Sequence, residues 1–520
     1  MIAKHLTTHN HLKTLLMTDQ FPTKKLLAQL LFIFLISGGF STYSFSQSAG
    51  TLDNTFGVGG KVITPNGTGN SVAIQSDGKI LLGGSNLVRY NSDGTLDNTF
   101  GIGGKVITAY GAGNSIAIQS DGKILLGGSI LARYNSDGTL DNTFGIGGMV
   151  FPGDAPGYYN NVRNSVVIQS DGKILLGGYG QHNTNDNSYF IILRYNTDGT
   201  LDNTFDTNGV VTGGLGRGNS MSILSDGKIL LGGSYYEPWS NTGFTIERYN
   251  TNGTLDTTFG IGGKVTTLIS PYGKSYSMDI QSDGKIVLGG YSRSSGSSEN
   301  DFTLARYNSN GSLDNTFGIG GIITTPVGDG TQGSDNSVVI QSDGKIILAG
   351  TSKDGSNQNH LTLVGYNSDG TLDTNFGIGG KTITPIGISF KSFGKSLGID
   401  SNGKILLGGY GYALNDSTIS MVLVRYNSNV SVGIGSFKEI DNKIYPNPFN
   451  SSTTIQFSTP VYKAELKIYN TYGQLIKQIE NISGQEIQLS RNNLPSGVYF
   501  FKLMENNKII VADKLIISDE

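Results

Sequence analysis

From Gly59 onward the chain beats in short apolar runs separated by Gly, Asn and Asp. GGKVIT (59–64), NSVAIQ (70–75), KILLGG (79–84) and LVRYN (87–91) are rich in Val, Ile, Leu and Tyr. Runs this short, bounded by turn formers, predict strands rather than helices. Ser-Asp-Gly between NSVAIQ and KILLGG predicts a tight hairpin there. The stretch QSDGKILLGG returns unchanged at 75–84, 119–128 and 169–178.

The rhythm is a repeat, and its period sets the architecture. LDxxF begins at Leu52, Leu96, Leu140, Leu201, Leu255, Leu313 and Leu372, at spacings of 44, 44, 61, 54, 58 and 59 residues. S(D/N)GK follows each time, with its polar position at Asp77, Asp121, Asp171, Asp226, Asp283, Asp343 and Asn402. A (R/G)YN run closes each unit, with its tyrosine at Tyr90, Tyr134, Tyr195, Tyr249, Tyr307, Tyr366 and Tyr426. Seven units of four strands predict an all-β, seven-bladed β-propeller, because a radial array leaves only short, protected strand edges. A parallel β-helix would have shorter coils and no Ser-Asp-Gly hairpins. NSVAIQ, small and apolar, is expected innermost, followed outward by KILLGG, LVRYN and GGKVIT. The seventh unit ends at Asn427 without an outer strand, so the first GGKVIT should complete it and close the ring.

Composition agrees: 76 Gly among 520 residues, with 37% hydrophobic residues, describe a chain of turns. The absence of Cys excludes disulfides, thiolate metal sites and cysteine nucleophiles. Lys24 and Lys25 lead into LLAQLLFIFLI (26–36), which reads as an export signal, with residues 1–46 removed. That run is too short to span a bilayer, so no transmembrane segment is expected after cleavage. The stretch before Lys24 is long for a leader, which makes Met17 a second candidate start. Without 1–46 the chain carries 33 basic and 39 acidic residues, a net −6 that offers nothing to nucleic acid.

The triple signature LDxxFG, xxDGKILxGG and LxRYNxDG resembles the delta-60 repeat of bacterial propellers over residues 52–427. The resemblance implies a fold and no particular activity. Gly365 in place of Arg and Asn402 in place of Asp depart from it, and weaker turns are expected in those blades.

The periodic aspartates are expected to cap hairpin turns while the following Gly takes a positive φ. Calcium is the one cofactor the sequence raises: YNSDGTLD brings Asn91, Asp93 and Asp97 together as oxygen donors. The RYN arginines are expected to pair with aspartates between blades.

Variable segments fall only between KILLGG and LVRYN and between GGKVIT and the next NSVAIQ, two connections that share one end of an up-and-down sheet. That face is expected to bind, since rigid frames display function on loops. It carries Tyr158, Tyr159, His182 and Asp186 in unit three, Tyr235, Tyr236, Glu237 and Trp239 in unit four, and Tyr272 and Tyr276 in unit five. Clustered aromatics there suit a glycan or a protein partner, or else pack their own loops. Catalytic residues are scarce. After processing only His182 and His360 remain, neither with a GxSxG elbow. The repeats contain three glutamates, Glu237, Glu247 and Glu299, so the carboxylate pair of a glycoside hydrolase would rest on Glu237 and Asp186.

After Asn427 the texture changes. Residues 429–442 read as a linker, and 443–520 alternate apolar and polar like a small immunoglobulin-like β-sandwich. YPNPF (445–449), LKIYNTYGQLI (466–476), LPSGVYFFKL (494–503) and KLII (514–517) closely resemble the type A C-terminal sorting domain of the type IX secretion system of Bacteroidota. On these residues Tyr445, Pro446, Asn447, Pro448, Gly497, Tyr499 and Lys514 carry the sorting motif. The resemblance implies the type IX machinery as partner and a location in the medium or on the outer cell surface. The sequence therefore describes signal (1–46), propeller (47–428), linker (429–442) and sorting domain (443–520). The function expected is that of a monomeric binding protein for a glycan or protein. A secreted polysaccharide hydrolase and a purely structural surface protein are the alternatives.

Overall fold

The computed structural model describes residues 48–519 apart from 109–112, 237–241, 270–271, 294–298, 329, 331–335, 357, 388–389, 414–417, 429–441, 470–474, 493 and 506–507. The leader, nearly all of the linker, Glu237 and Trp239 lie outside these residues. Thirty-three strands and no helix are present among the described residues.

Residues 61–426 form seven four-stranded antiparallel sheets in the phase the sequence predicts. In blade 1, Gly69–Ile74 pairs with Ile80–Gly84, that with Asn86–Tyr90, and that with Lys105–Ile107. Blade 7 takes its outer strand from the other end of the repeats: Lys61–Pro65 pairs with Ser420–Tyr426. The second and third strands, such as ILLGG at 80–84 and 124–128, are buried on both faces. The core is therefore shared between blades: Val72, Leu82 and Tyr90 of blade 1 pack with Leu406, Met421 and Leu423 of blade 7.

A ring of hydrogen bonds joins the innermost strands. Ser71 Oγ accepts from the Ile116 amide of blade 2 at 3.1 Å, and Ser115 from Val166 of blade 3 at 3.1 Å. The series continues through Ser165 to Met221, Ser220 to Met278, Ser277 to Val338 and Ser337 to Leu397. Ser396 then accepts from Val72 of blade 1 at 3.0 Å and closes the circle. Serine is small enough for this crowded axis, and it satisfies an amide that the ladder leaves unpaired.

The C-terminal strands are linked into one five-stranded sheet, all of whose strand pairings are antiparallel. Ser452–Tyr469 and Leu475–Ser490 pair along most of their lengths, with register shifts between Gln456 and Leu466. Asn442–Tyr445 adds to the first half of Ser452–Tyr469, and Gly497–Glu505 to the second half. Ile455 and Phe457 from one half share a core with Leu466, Phe501 and Leu515 from the other.

Candidate functional site

Most of the repeated polar residues are consumed by the scaffold. Asp77 Oδ1 accepts from the Lys79 amide at 3.1 Å across the hairpin, and Asp121, Asp171, Asp226, Asp283 and Asp343 do the same. In the seventh repeat Asp400, two residues earlier, accepts from Lys404 at 2.9 Å and takes over from Asn402.

The arginines pair within their own blade, a correction to the pairing between blades expected from sequence. Arg89 Nε reaches Asp97 Oδ2 at 2.7 Å, because the LDxxF segment folds back beside the third strand that precedes it. The link between blades comes instead from Nη1, which donates to the carbonyl of Ser136 in the next blade. The guanidinium also lies 4.5 Å from the centre of the Phe100 ring. The same cluster recurs at Arg133, Arg194, Arg248, Arg306 and Arg425.

The calcium donors enter the same scaffold. Asn91 Nδ2 donates to Thr95 Oγ1, and Asp93 Oδ1 accepts from the Thr95 amide at 2.9 Å. Asp97 is buried between Arg89, Lys79 and Thr99. Burial pushes its carboxyl up, but Thr99, Lys79 and Arg89 outweigh burial and hold it well below the usual carboxylate range. Among the described residues no group of three His, Asp or Glu side chains is placed to share a metal ion.

The residue before each ring serine stands apart from these turns and ion pairs. In six blades the register slips by one residue at this position, as between Gly69 and Ser71 opposite Gly84 and Gly83. Such a bulge removes the extra residue from the ladder and re-aims it. The carbonyl of the residue before the bulge then passes so close to the second strand that a Cβ on Gly84 would lie 1.7 Å from Thr68 O, and one on Gly178 1.8 Å from Val162 O. The repeated Gly-Gly is thus the partner of the repeated Asn-Ser.

The re-aimed side chains line a cavity of about 510 Å³. It lies at the insertion-bearing end of the inner strands. Asn70, Asn114, Asn164, Asn219 and Asn336 occupy the position in five blades, Tyr276 in blade 5 and Lys395 in blade 7. Four of the amides form a relay, each donating to a backbone carbonyl of the next blade: Asn70 to Gly113, Asn114 to Arg163, Asn164 to Gly218 and Asn219 to Ser275. Asn336 is only 2% exposed, and neither its Oδ1 nor its Nδ2 has a hydrogen-bond partner. Arg217 and Lys274 add two cations, and Tyr179 and Tyr272 add rings. Arg217 lies 5.3 Å from the Tyr179 ring centre, Lys274 5.2 Å from that of Tyr272, and Lys395 5.4 Å from that of Tyr410. Burial lowers the Lys395 ammonium to about 8.

Of the sequence candidates, Tyr272 and Tyr276 line this cavity. Tyr158, His182 and Tyr189 pack edge to face in blade 3, with ring centres 5.1 to 5.8 Å apart. Tyr159 beside them donates to Asp186 at 2.6 Å. Tyr235 lies under Lys264 in blade 4, and Tyr236 ends the same strand. Blade 5 has its own stack, in which Tyr291 lies 5.9 Å from Tyr276 and 6.2 Å from Tyr272. Sequence reasoning missed Asn219, Asn336 and Lys395, although Asn-Ser recurring opposite Gly-Gly was a visible signal. Elsewhere, His360 Nε2 meets Asp354 Oδ2 at 2.9 Å, and its buried Nδ1 has no partner. Glu247 is buried, accepting from Tyr249 Oη and the Gly214 amide beside Lys264.

In the C-terminal sheet the first and last sorting landmarks are clasped together. Asn447 Oδ1 accepts from the Ile516 amide at 2.7 Å, while its Nδ2 donates to Lys514 O at 3.1 Å. Phe449 N donates to Ile516 O, and its ring is buried with Leu515 and Ile517. Gly497 opens the strand opposite Ile517, and Tyr499 Oη donates to Pro495 O at 2.9 Å. Tyr445 is about half exposed, and Pro446 and Pro448 alternate with Asn447 along the same segment.

Comparison with known proteins agrees with both halves. Residues 443–518 match the secretion system C-terminal sorting domain family. Six segments, 75–100, 119–144, 169–205, 224–259, 281–317 and 341–376, match the domain of unknown function (DUF5122) beta-propeller family. The chain is a β-propeller protein that carries a type IX sorting domain. It is exported to the cell surface or the medium. A protein of unknown function from Dyadobacter fermentans DSM 18053 aligns at 12% identity and TM-score 0.38, covering 71% of this chain and 98% of its own. A GH43_1 enzyme from Xanthomonas citri aligns at 11% and 0.26, covering 52% and 88%. An endo-arabinase from Bacteroides thetaiotaomicron VPI-5482 aligns at 12% and 0.27, covering 50% and 91%. No curated protein matches the sequence.

Proposed function

We propose that the exported propeller is a binding protein that holds a glycan at the mouth of its axis. The observation that carries this reading is the bulge of the inner strands. Six blades break their ladder at one position, and the side chains so released converge on a single cavity. Their chemistry is that of sugar recognition, with amide donors and acceptors beside tyrosine rings. The described residues lining the cavity include no Asp or Glu, which favours binding over hydrolysis by a carboxylate pair. In this reading Tyr272 and Tyr276 contact the ligand, and the other loop aromatics act as loop packing.

A glycan array probed with residues 48–436 tests the proposal. Binding should be retained by a Tyr159→Phe variant and lost in a Tyr276→Ala, Asn219→Ala double variant. An array with no bound glycan, or binding indifferent to the double variant, would sink it.

A further inference from the structure

A sheet with one face on a core and the other in water alternates apolar and polar residues along each strand. One half of the C-terminal sheet obeys. At the start of Ser452–Tyr469, Thr453, Ile455 and Phe457 are buried while Thr454 and Gln456 turn outward, and the residues opposite those two are Gln488 and Glu486. Gly497–Glu505, in the other half, departs from the rule. Tyr499, Phe501 and Leu503 are buried in the core, yet the outward residues between them are Val498, 41% exposed, and Phe500, 49% exposed. Direct cross-strand neighbours share a face. Phe500 has Tyr469 opposite it on one side and Lys514 on the other, and Val498 has Ile516. Tyr469, Phe500, Val498 and Ile516 therefore form an apolar stripe across three adjacent strands. Lys514 lies at its margin with Lys502, whose Nζ is 5.3 Å from the Tyr469 ring centre.

Scattered apolar residues on a surface need no explanation, but a contiguous stripe on an exported chain does. Its position is informative. LKIYNTYGQLI supplies Tyr469, LPSGVYFFKL supplies Val498 and Phe500, and KLII supplies Lys514 and Ile516. Within each of these sorting landmarks one set of alternate residues builds the core: Ile468 in the first, Tyr499 and Phe501 in the second, Leu515 and Ile517 in the third. The other set builds the stripe, which the core does not use. The clasp through Asn447 holds the Ile516 amide and so fixes the strand at the edge of this face.

We infer that this stripe is the surface by which the sorting domain docks on the type IX export machinery, against a partner surface that is apolar at its centre and polar at its rim. Aromatic rings beside aliphatic side chains, with lysines around them, have the composition of an interface centre and its margin. The landmarks then serve two purposes, a core on one face and an address on the other.

The test uses the full chain in its native host. Val498→Thr with Phe500→Thr removes the apolar groups but keeps β-branched residues suited to a strand. Protein in the medium and on the cell surface should fall by at least about tenfold, with the chain accumulating in the periplasm. Phe500→Leu, which stays apolar, should retain most of the export. The purified double variant should melt within about 3 °C of the parent chain, since outward substitutions cost little stability. If the double variant is unstable, Tyr469→Thr read in the same way carries the test. Full export of a folded double variant would overturn the assignment, and an accompanying change from dimer to monomer in sedimentation would give the stripe to a second copy of the chain. A lowered melting transition of the propeller, with export intact, would give it to the propeller instead.

Discussion

Arg425 and Asp53 form a buried ion pair at 2.9 Å although 372 residues separate them. The pair fastens the N-terminal segment to the third strand of the last blade. In every other blade with the arginine, the matching pair is eight residues apart. Asp53→Asn should therefore cost about 3 kcal/mol, since it leaves a buried guanidinium without its charge partner. Asp373→Asn offers the contrast. Blade 6 has Gly365 where the arginine would stand, and Asp373 meets only the partly exposed Lys345, so the cost should be about 1 kcal/mol or less. Denaturant midpoints of the two variants measure the difference. Equal losses would contradict the role given to the arginine.

The glycine pairs make a sharper prediction. Gly178→Ala puts a methyl 1.8 Å from the Val162 carbonyl, a backbone atom that moves only if the bulge moves. Roughly 3 kcal/mol of stability should be lost, and the cavity should deform with it. At the neighbouring Gly177 the nearest atom is Met221 Sδ at 3.1 Å, the end of a flexible side chain, and blade 6 already carries Ala349 there. Gly177→Ala should stay within about 1 kcal/mol in thermal unfolding.

Acid should unfold the propeller cooperatively. Asp53, Asp97, Asp141, Asp202 and Asp256 are held below the ordinary carboxylate range, and Asp314 at about 2. Burial works against them, but threonine hydrogen bonds and the neighbouring Lys and Arg prevail. Depressed folded values mean that this stability is fully present above the unfolded value near 4 and is lost as pH falls through the folded values. Urea midpoints should be flat from pH 7 to about 5 and drop steeply below about 4. A constant midpoint down to pH 3 would refute the linkage.

The clasp between Asn447 and the last strand predicts an export defect. Asn447→Ala removes the acceptor of the Ile516 amide and the donor to Lys514 O, and should cost about 1 to 2 kcal/mol within the C-terminal sheet. In the native host the variant, like a truncation after residue 436, should accumulate in the periplasm with a folded propeller. Cell fractionation followed by thermal melting of residues 48–436 reads both effects. A truncated chain that still reached the medium would count against the sorting role.

Much of this molecule was legible because turn chemistry and apolar runs repeat seven times. Ser-Asp-Gly gave the hairpins, and the missing outer strand after Asn427 gave the closure by 61–65. Two things were hidden. Arg89 and Asp97 are close in sequence, yet only the folded-back LDxxF segment shows that they belong to one blade. The cavity was hidden because a strand read by strict alternation assigns Asn70 to the ladder, whereas the bulge turns it out of the ladder by one residue. Loop aromatics drew attention by their variety, but the residues that converge are the repeated ones.

Because the outer strand of blade 7 is supplied by residues 61–65, the sequence unit and the structural unit are offset by one strand. Gain or loss of a single unit in the gene would therefore exchange one full complement of strands, and the two ends would still meet as partners. Such a chain can change its length in steps without ever passing through a product that has an unpaired edge.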